Sequence, residues 1–356
     1  MTSAVQVSSN TQPSSQDSLE QALARATARL VRVPEGARGW ADSLRELTAR
    51  PGKRVRPWLC ALAYEGVART PASDAVLDFA AGLELLHAFM LVHDDLIDGA
   101  DVRRGAPALH RALEPLHGEQ ANALALLGGD ALFVAAVDAM ARAAVPADRM
   151  RDALAVVLEG ARQAAVGEML DVSYARQPLT SLSSARLADV LRLKTAGYTF
   201  VAPLVAGAVL AGASAPTRRA LTQFGQRVGL AFQLADDLLD IYGDAAQLGK
   251  PVGGDLREGK RTVFARLLVA RASPDDARRL VRLLDSRAAD ADDLAWVREL
   301  GRRTGVASEV AARVRTFIAA GERCLNRAAL DSSASTQLRG LARKVAASAA
   351  FLESGS

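Results

Sequence analysis

Aromatic residues make up only 4% of this 356-residue chain, and prolines number just 13. With half the residues hydrophobic, and most of those Ala, Leu and Val, so few rings and breakers favour helices over strands. No segment alternates apolar and polar residues with period two for long enough to claim a sheet. Cysteine is nearly absent: Cys60 and Cys324 lie far apart, which excludes a disulfide framework and fits a reducing compartment. Charge of one sign is also lacking. The 44 Lys+Arg and 40 Asp+Glu are interspersed, so no basic stripe marks a nucleic-acid partner. The opening "MTSAVQVSSNTQPSSQDS" has neither a charged leader nor a continuous apolar run, and the first arginine is Arg25; a secretory or transit signal is not expected, and a cytoplasmic location is. One uncharged stretch, Thr195 to Thr217, is long enough to span a bilayer. It is Ala- and Gly-rich, broken by Pro203 and isolated, so it reads as a buried helix and no transmembrane segment is expected.

What is present is helical periodicity. Asp17 followed by Glu20 resembles a capping box and predicts the start of order. Helices are then expected over about 55–69, 74–98, 119–144, 148–176, 184–212, 217–243, 260–272 and 276–286, with more after 292. Linkers such as "RTPAS" and "ASAPT" are too short to separate domains. The expected organisation is a disordered tail (1–17), one large single-domain all-α bundle (18–352) and a polar end (353–356).

Charge is concentrated at two places on apolar helices. In "LVHDDLID", Asp94, Asp95 and Asp98 sit at i, i+1 and i+4, which stacks Asp94 and Asp98 on one helical face. The preceding "FAAGLELLHAFMLV" is apolar nearly all round, so the carboxylates are delivered to an interior or a cleft, where they are costly unless compensated. "FQLADDLLD" repeats the pattern with Asp236, Asp237 and Asp240. Hard divalent cations relieve such clusters, and Mg²⁺ typically accepts one or two carboxylates while sharing the rest of its shell with water and substrate phosphates. Two facing carboxylate walls therefore suggest a metal-bridged diphosphate. Basic groups stand nearby in sequence: Lys53, Arg54 and Arg56, Arg103 and Arg104, then Lys194, Lys250 and Lys260. Arginine forks suit phosphate oxygens. All four histidines, His87, His93, His110 and His117, fall in one quarter of the chain. His93 beside Asp94 leaves open an HD-type metal phosphohydrolase, which would not explain the second acidic array.

These motifs, in order from about residue 50 to 265, resemble the trans-isoprenyl diphosphate synthases. "GKRVRP" is similar to that family's isopentenyl diphosphate site and "HDDLIDGADVRRG" to its first aspartate-rich motif. "FQLADDLLDIYGDAAQLGKPVGGDLREGKRT" is similar to its second motif and lysine loop, and "LLGGDALF", "GEMLD" and "LKTAG" to the elements between. Glu168 stands where glutamine is common. The resemblance implies an isoprenoid synthase fold, commonly homodimeric, that condenses isopentenyl diphosphate with an allylic diphosphate. It implies Mg²⁺, usually three ions, held by Asp94, Asp98, Asp171, Asp236 and Asp240, and catalytic roles for the full triplets Asp94, Asp95, Asp98 and Asp236, Asp237, Asp240. Arg103, Lys194, Lys250 and Lys260 would grip the allylic diphosphate; Lys53, Arg56, His87 and Arg104 the isopentenyl diphosphate. Thr195 and Gln233 would line the space where the allylic cation forms. A terpene cyclase would carry a different metal motif in place of "DDLLD".

Product length is expected to depend on Phe89 and Met90, five and four residues before Asp94 and roughly one turn, about 5 to 8 Å, deeper in the helix. An aromatic five before an uninserted "DDLID" resembles the type that forms the twenty-carbon geranylgeranyl diphosphate. A bulky Met90, aimed along the Asp94 face, would instead stop growth at the fifteen-carbon farnesyl diphosphate.

Overall fold

The computed structural model describes residues 13–30, 33–244 and 252–349. Its elements run α1 (Pro13–Leu30), α2 (Arg38–Ala49), α3 (Val55–Ala68), α4 (Asp74–Asp98), β1 (Val102–Arg103), β2 (Ala106–Pro107), α5 (Leu109–His117), α6 (Ala121–Ala141) and α7 (Ala147–Tyr174). Next come α8 (Ser184–Leu191), a π-helical stretch (Arg192–Val201), α9 (Ala202–Leu210), α10 (Ala215–Tyr242), α11 (Gly254–Arg257) and α12 (Val263–Arg271). The chain closes with α13 (Pro274–Ser286), α14 (Ala291–Arg303), α15 (Val306–Leu325) and α16 (Ser332–Ala347). The only strands among the described residues form a minimal antiparallel ribbon pairing Val102 with Pro107 and Arg103 with Ala106. The fold is the all-α bundle expected.

Local chemistry sets several boundaries. Helix α4 opens with Asp74 in its first turn, where a carboxylate complements the helix dipole. It ends at Gly99, whose left-handed backbone (φ 64°) caps the last turn. At its start the chain departs from expectation: α1 begins at Pro13, so Asp17 lies inside the helix rather than capping it, and residues 13–17 are helical rather than part of a tail. Proline suits a first helical turn, where its missing N–H has no partner to lose. The remaining tail residues, 1–12, and the 353–356 end lie outside the described residues.

The helix expected over 184–212 is three pieces, with a π-helical middle. Pro203, at the second position of α9, offers no N–H to the preceding turn, and the chain takes the wider pitch just before it. Two hydrophobic cores flank the junction. One gathers Phe224, Val228 and Leu238 of α10 with Val310 and Val314 of α15 and Leu338 and Leu341 of α16; the other gathers Phe79, Leu83 and Leu86 of α4 with Leu132, Ala136 and Met140 of α6. Helices α3 and α9 contribute opposite faces to both, Leu59 and Leu204 to the first, Cys60 and Val205 to the second.

Three helical stretches are long and apolar enough to cross a membrane by length and composition: Asp74–Asp98, Leu109–Ala141 and Ser184–Leu210. The fold buries 67% and 83% of the first and last apolar windows but 39% of the middle one. Leu126, Leu127 and Val134 of α6 are exposed, as are Val166, Met169 and Val172 of α7.

Candidate active site

Helices α4 and α10 both deliver their acids within their last two turns. Carboxylates at a helix C-terminus face the negative end of the dipole as well as each other, so this placement needs positive charge from elsewhere. The protein supplies part of it. Lys194, on the π-helical stretch, lies 2.8 Å from Asp171 and 2.5 Å from Glu168, both on α7. Burial alone would lower the Lys194 ammonium's pKa, but Asp171, Glu168 and Asp94 outweigh it and hold Lys194 charged. The close approach of α7 to this stretch needs Gly167, where a Cβ would fall 2.4 Å from the Lys194 backbone nitrogen.

Two cavities meet here. The larger, about 870 Å³, is lined by Lys53, Arg54, Arg56, Glu84, His87 and Arg104 at one end. Its apolar arm runs along α4 and α7, past Phe89, Met90, Ala161, Ala164, Ala165 and Met169. The smaller, about 470 Å³, is polar and lined by Asp98, Arg103, Asp171, Asp237, Asp240, Asp255, Glu258 and Lys260. Lys194, Thr195, Gln233 and Asp236 line both. Asp94 faces the larger cavity only. The two acidic arrays, ordered by distant stretches of sequence, thus converge on one hollow.

Their members have different surroundings. Burial raises the Asp98 carboxyl, against the pull of Lys260 and Lys194. Asp237 is buried and raised well above the ordinary carboxylate range, by desolvation first and then by Asp255. Its Oδ1 accepts from Gln233 Nε2 at 3.0 Å, while Thr195 Oγ1 donates to Gln233 Oε1 at 2.9 Å; Asp237 Oδ2 has no hydrogen-bond partner among the described residues. Asp240 turns its oxygens to the backbone N–H groups of Gly254 (3.2 Å) and Asp255 (2.9 Å), anchoring α11. Asp255, absent from the sequence expectations, is pushed up to about 6, chiefly by burial and, against Lys260, by Asp240 and Asp236. Lys260 pairs with Glu258 at 2.6 Å and Asp255 at 3.4 Å.

Asp95 points the other way. It is buried and receives Arg103 Nε at 2.7 Å, so the acid most central to the motif serves the hairpin that carries Arg103 and Arg104. Arg103 is accordingly held by a carboxylate while it lines the smaller cavity. Lys250 lies outside the described residues. In the larger cavity Arg56 donates to Thr199 Oγ1 at 2.8 Å and stacks on the Tyr198 ring. The buried Tyr198 hydroxyl has no hydrogen-bond partner among the described residues. Burial, Arg56 and Arg104 hold His87 well below its ordinary pKa, and so neutral. Phe89 packs against His93 and Phe133 with centroids 4.6 and 5.3 Å away. His93 meets the Leu126 carbonyl and Asp130 on α6 instead of a second histidine.

The donor set around the smaller cavity is carboxylate oxygen, which fits a hard divalent cation. Among the described residues, no three His, Cys, Asp or Glu side chains already close into a metal cluster. A Mg²⁺ ion held here would draw the rest of its shell from water and substrate oxygens.

Comparison with known proteins agrees. Residues 39–300 match the family model described as polyprenyl synthetase. A short chain isoprenyl diphosphate synthase from Methanothermobacter thermautotrophicus is 37% identical over 66% of this chain and 68% of its own. A (2E,6E)-farnesyl diphosphate synthase from Mycobacterium tuberculosis is 33% identical over 86% of this chain and 83% of its own. The crystal structure of geranylgeranyl pyrophosphate synthase from Corynebacterium glutamicum, complexed with isoprenyl diphosphate and magnesium, superposes with a TM-score of 0.83 at 33% identity, covering 93% of this chain and 96% of that one. The chain belongs to the polyprenyl synthetase family of trans-isoprenyl diphosphate synthases, and it is a prenyltransferase.

Proposed function

We propose that this enzyme joins isopentenyl diphosphate head-to-tail to an allylic diphosphate in the trans configuration and releases geranylgeranyl diphosphate. The observation that carries this reading is the shared wall: Lys194, Thr195, Gln233 and Asp236 separate an acidic cavity from one that combines a basic end with an apolar arm. That arrangement suits an allylic diphosphate held at the acids, a second diphosphate held by Lys53, Arg56, His87 and Arg104, and a growing hydrocarbon along α4.

Magnesium, held by Asp94, Asp98, Asp171 and Asp236, with Asp240 contributing where its backbone contacts permit, would neutralise the departing diphosphate. The chain's own groups do the rest. Lys194, Lys260 and Arg103 add positive charge on the same side. The Thr195 hydroxyl and Gln233 amide, fixed by their mutual hydrogen bond, set polar oxygens beside the reacting carbon, and the apolar wall keeps water from the allylic cation. Asp95 and Asp237 act by orienting Arg103 and Gln233.

Twenty carbons is favoured because Phe89 lines the apolar arm and is braced by Phe133. Met90 lines the same arm, so the fifteen-carbon product, which the mycobacterial relative's name states, is the second reading. We assign the exposed apolar face of α6 and α7 to a second copy of the chain instead of lipid. Incubating the purified protein with Mg²⁺, isopentenyl diphosphate and farnesyl diphosphate, then identifying products by mass, tests the reading. A C20 diphosphate supports it; no prenyl product defeats it.

A further inference from the structure

Arg54 stands in the middle of "GKRVRP", yet it is spent on the protein itself. Its side chain is 5% exposed. Nη1 donates to Glu84 Oε1 at 2.7 Å, Nε to Glu20 Oε1 of α1 at 3.0 Å, and Nη2 to the carbonyls of Thr48 and Arg50 at 3.2 and 3.1 Å. The same Glu84 oxygen also receives Arg104 Nη2, at 3.4 Å. Glu84 comes from the buried middle of α4 and is 4% exposed. Burial would raise its carboxyl, but Arg54 and Arg104 outweigh that and hold it below the usual carboxylate range.

Two further observations single out this carboxylate. Arg54 and Arg104 both hold left-handed backbones, with φ of 45° and 54°, a conformation costly for residues with a Cβ and retained where the surroundings impose it. Both are ion-paired to Glu84. In addition, the Arg104 guanidinium lies against Gly52, where an added Cβ would come within 2.9 Å of Nη1. A buried ion pair is weak evidence for stability, so two strained arginines on one buried acid argue for placement. The charges agree: Glu84 and Glu20 absorb Arg54, while Arg104, held by the same Glu84, also lines the larger cavity.

We propose that Glu84 is the positioning residue of the basic pocket, fixing Arg104 over Gly52, with Arg54 as its counter-charge, so that the pocket is formed before a diphosphate enters. The inference deepens the proposed function, because it rests on this pocket taking isopentenyl diphosphate. Titration calorimetry of the full-length protein tests it by measuring isopentenyl diphosphate binding and, separately, binding of pyrophosphate with Mg²⁺. Glu84→Gln, which keeps the side chain's shape, should weaken isopentenyl diphosphate at least tenfold and leave magnesium pyrophosphate within twofold. Glu20→Gln, at the exposed rim, should weaken isopentenyl diphosphate about two- to threefold, and it decides the question if Glu84→Gln does not fold. Unchanged isopentenyl diphosphate affinity, or equal loss for both ligands, overturns the inference. Failure of the unaltered protein to bind isopentenyl diphosphate would overturn the reading of the pocket instead.

Discussion

Lys194 Nζ bridges two carboxylates one turn apart on α7, Asp171 Oδ2 at 2.8 Å and Glu168 Oε2 at 2.5 Å. One ammonium thus does for α7 what a bound cation is expected to do for the whole hollow. Removing it by Lys194→Ala leaves two neighbouring acids without their counter-charge, a loss of about 3 kcal/mol, the lower end for breaking a buried pair because the site opens to a cavity. Thermal unfolding should show that loss, and millimolar Mg²⁺ should restore part of it by binding the folded state. Turnover should fall about 100-fold or more through lost charge stabilisation.

Gly167 tests the mutual placement of α7 and the π-helical stretch. In Gly167→Ala the new methyl meets the Lys194 backbone, so overpacking should cost about 1–3 kcal/mol. Displacing Lys194 and Thr195 together should lower kcat roughly tenfold to 100-fold. Circular dichroism melts and steady-state rates measure both effects.

His87 gives a pH dependence. Its folded-state pKa is held well below 6.5 by burial, Arg56 and Arg104, so the unfolded chain binds the additional proton first. Its contribution is therefore fully present above pH 6.5 and is lost as pH falls from 6.5 towards the folded value. Denaturant melts should show stability declining below pH 6.5, with a shallower decline in His87→Gln.

Phe89→Ala removes the ring braced by His93 and Phe133 and opens the arm beneath it. Products longer than those of the unaltered enzyme are expected by mass spectrometry. An unchanged distribution would pass the role of floor to Met90.

Much of this was legible in the residues, for identifiable reasons. Helix α4 carries its own punctuation in Asp74 and Gly99, and the expected range 74–98 matches the observed one. The spacing of Asp94 and Asp98 needed only helical geometry. Less legible was anything decided by partners distant in the chain. Arg54 reads like Arg56 in a basic run, and only the packing of α1 and α4 turns it inward. Asp95 and Asp94 are adjacent letters, but helical geometry sends them to different sides, one to Arg103 and one to the cavity. Asp255 sat in plain view in "GGDLREGK"; its burial beside Asp240 depends on the turn that begins at Gly253. The π-helical stretch mixes Arg192, Lys194, Thr195 and Thr199 with apolar residues and so reads as part of an ordinary helix, although Pro203 lies just past its end. The Asp17–Glu20 pair lies within α1, which already includes Pro13.

The most direct test of the central claim is anomalous diffraction from crystals soaked with Mn²⁺ and pyrophosphate. Metal peaks bridging pyrophosphate to Asp94 and Asp98 of α4, Asp171 of α7 and Asp236 of α10 are the predicted result. A hollow without metal, or ions bound only away from these helix ends, would contradict it.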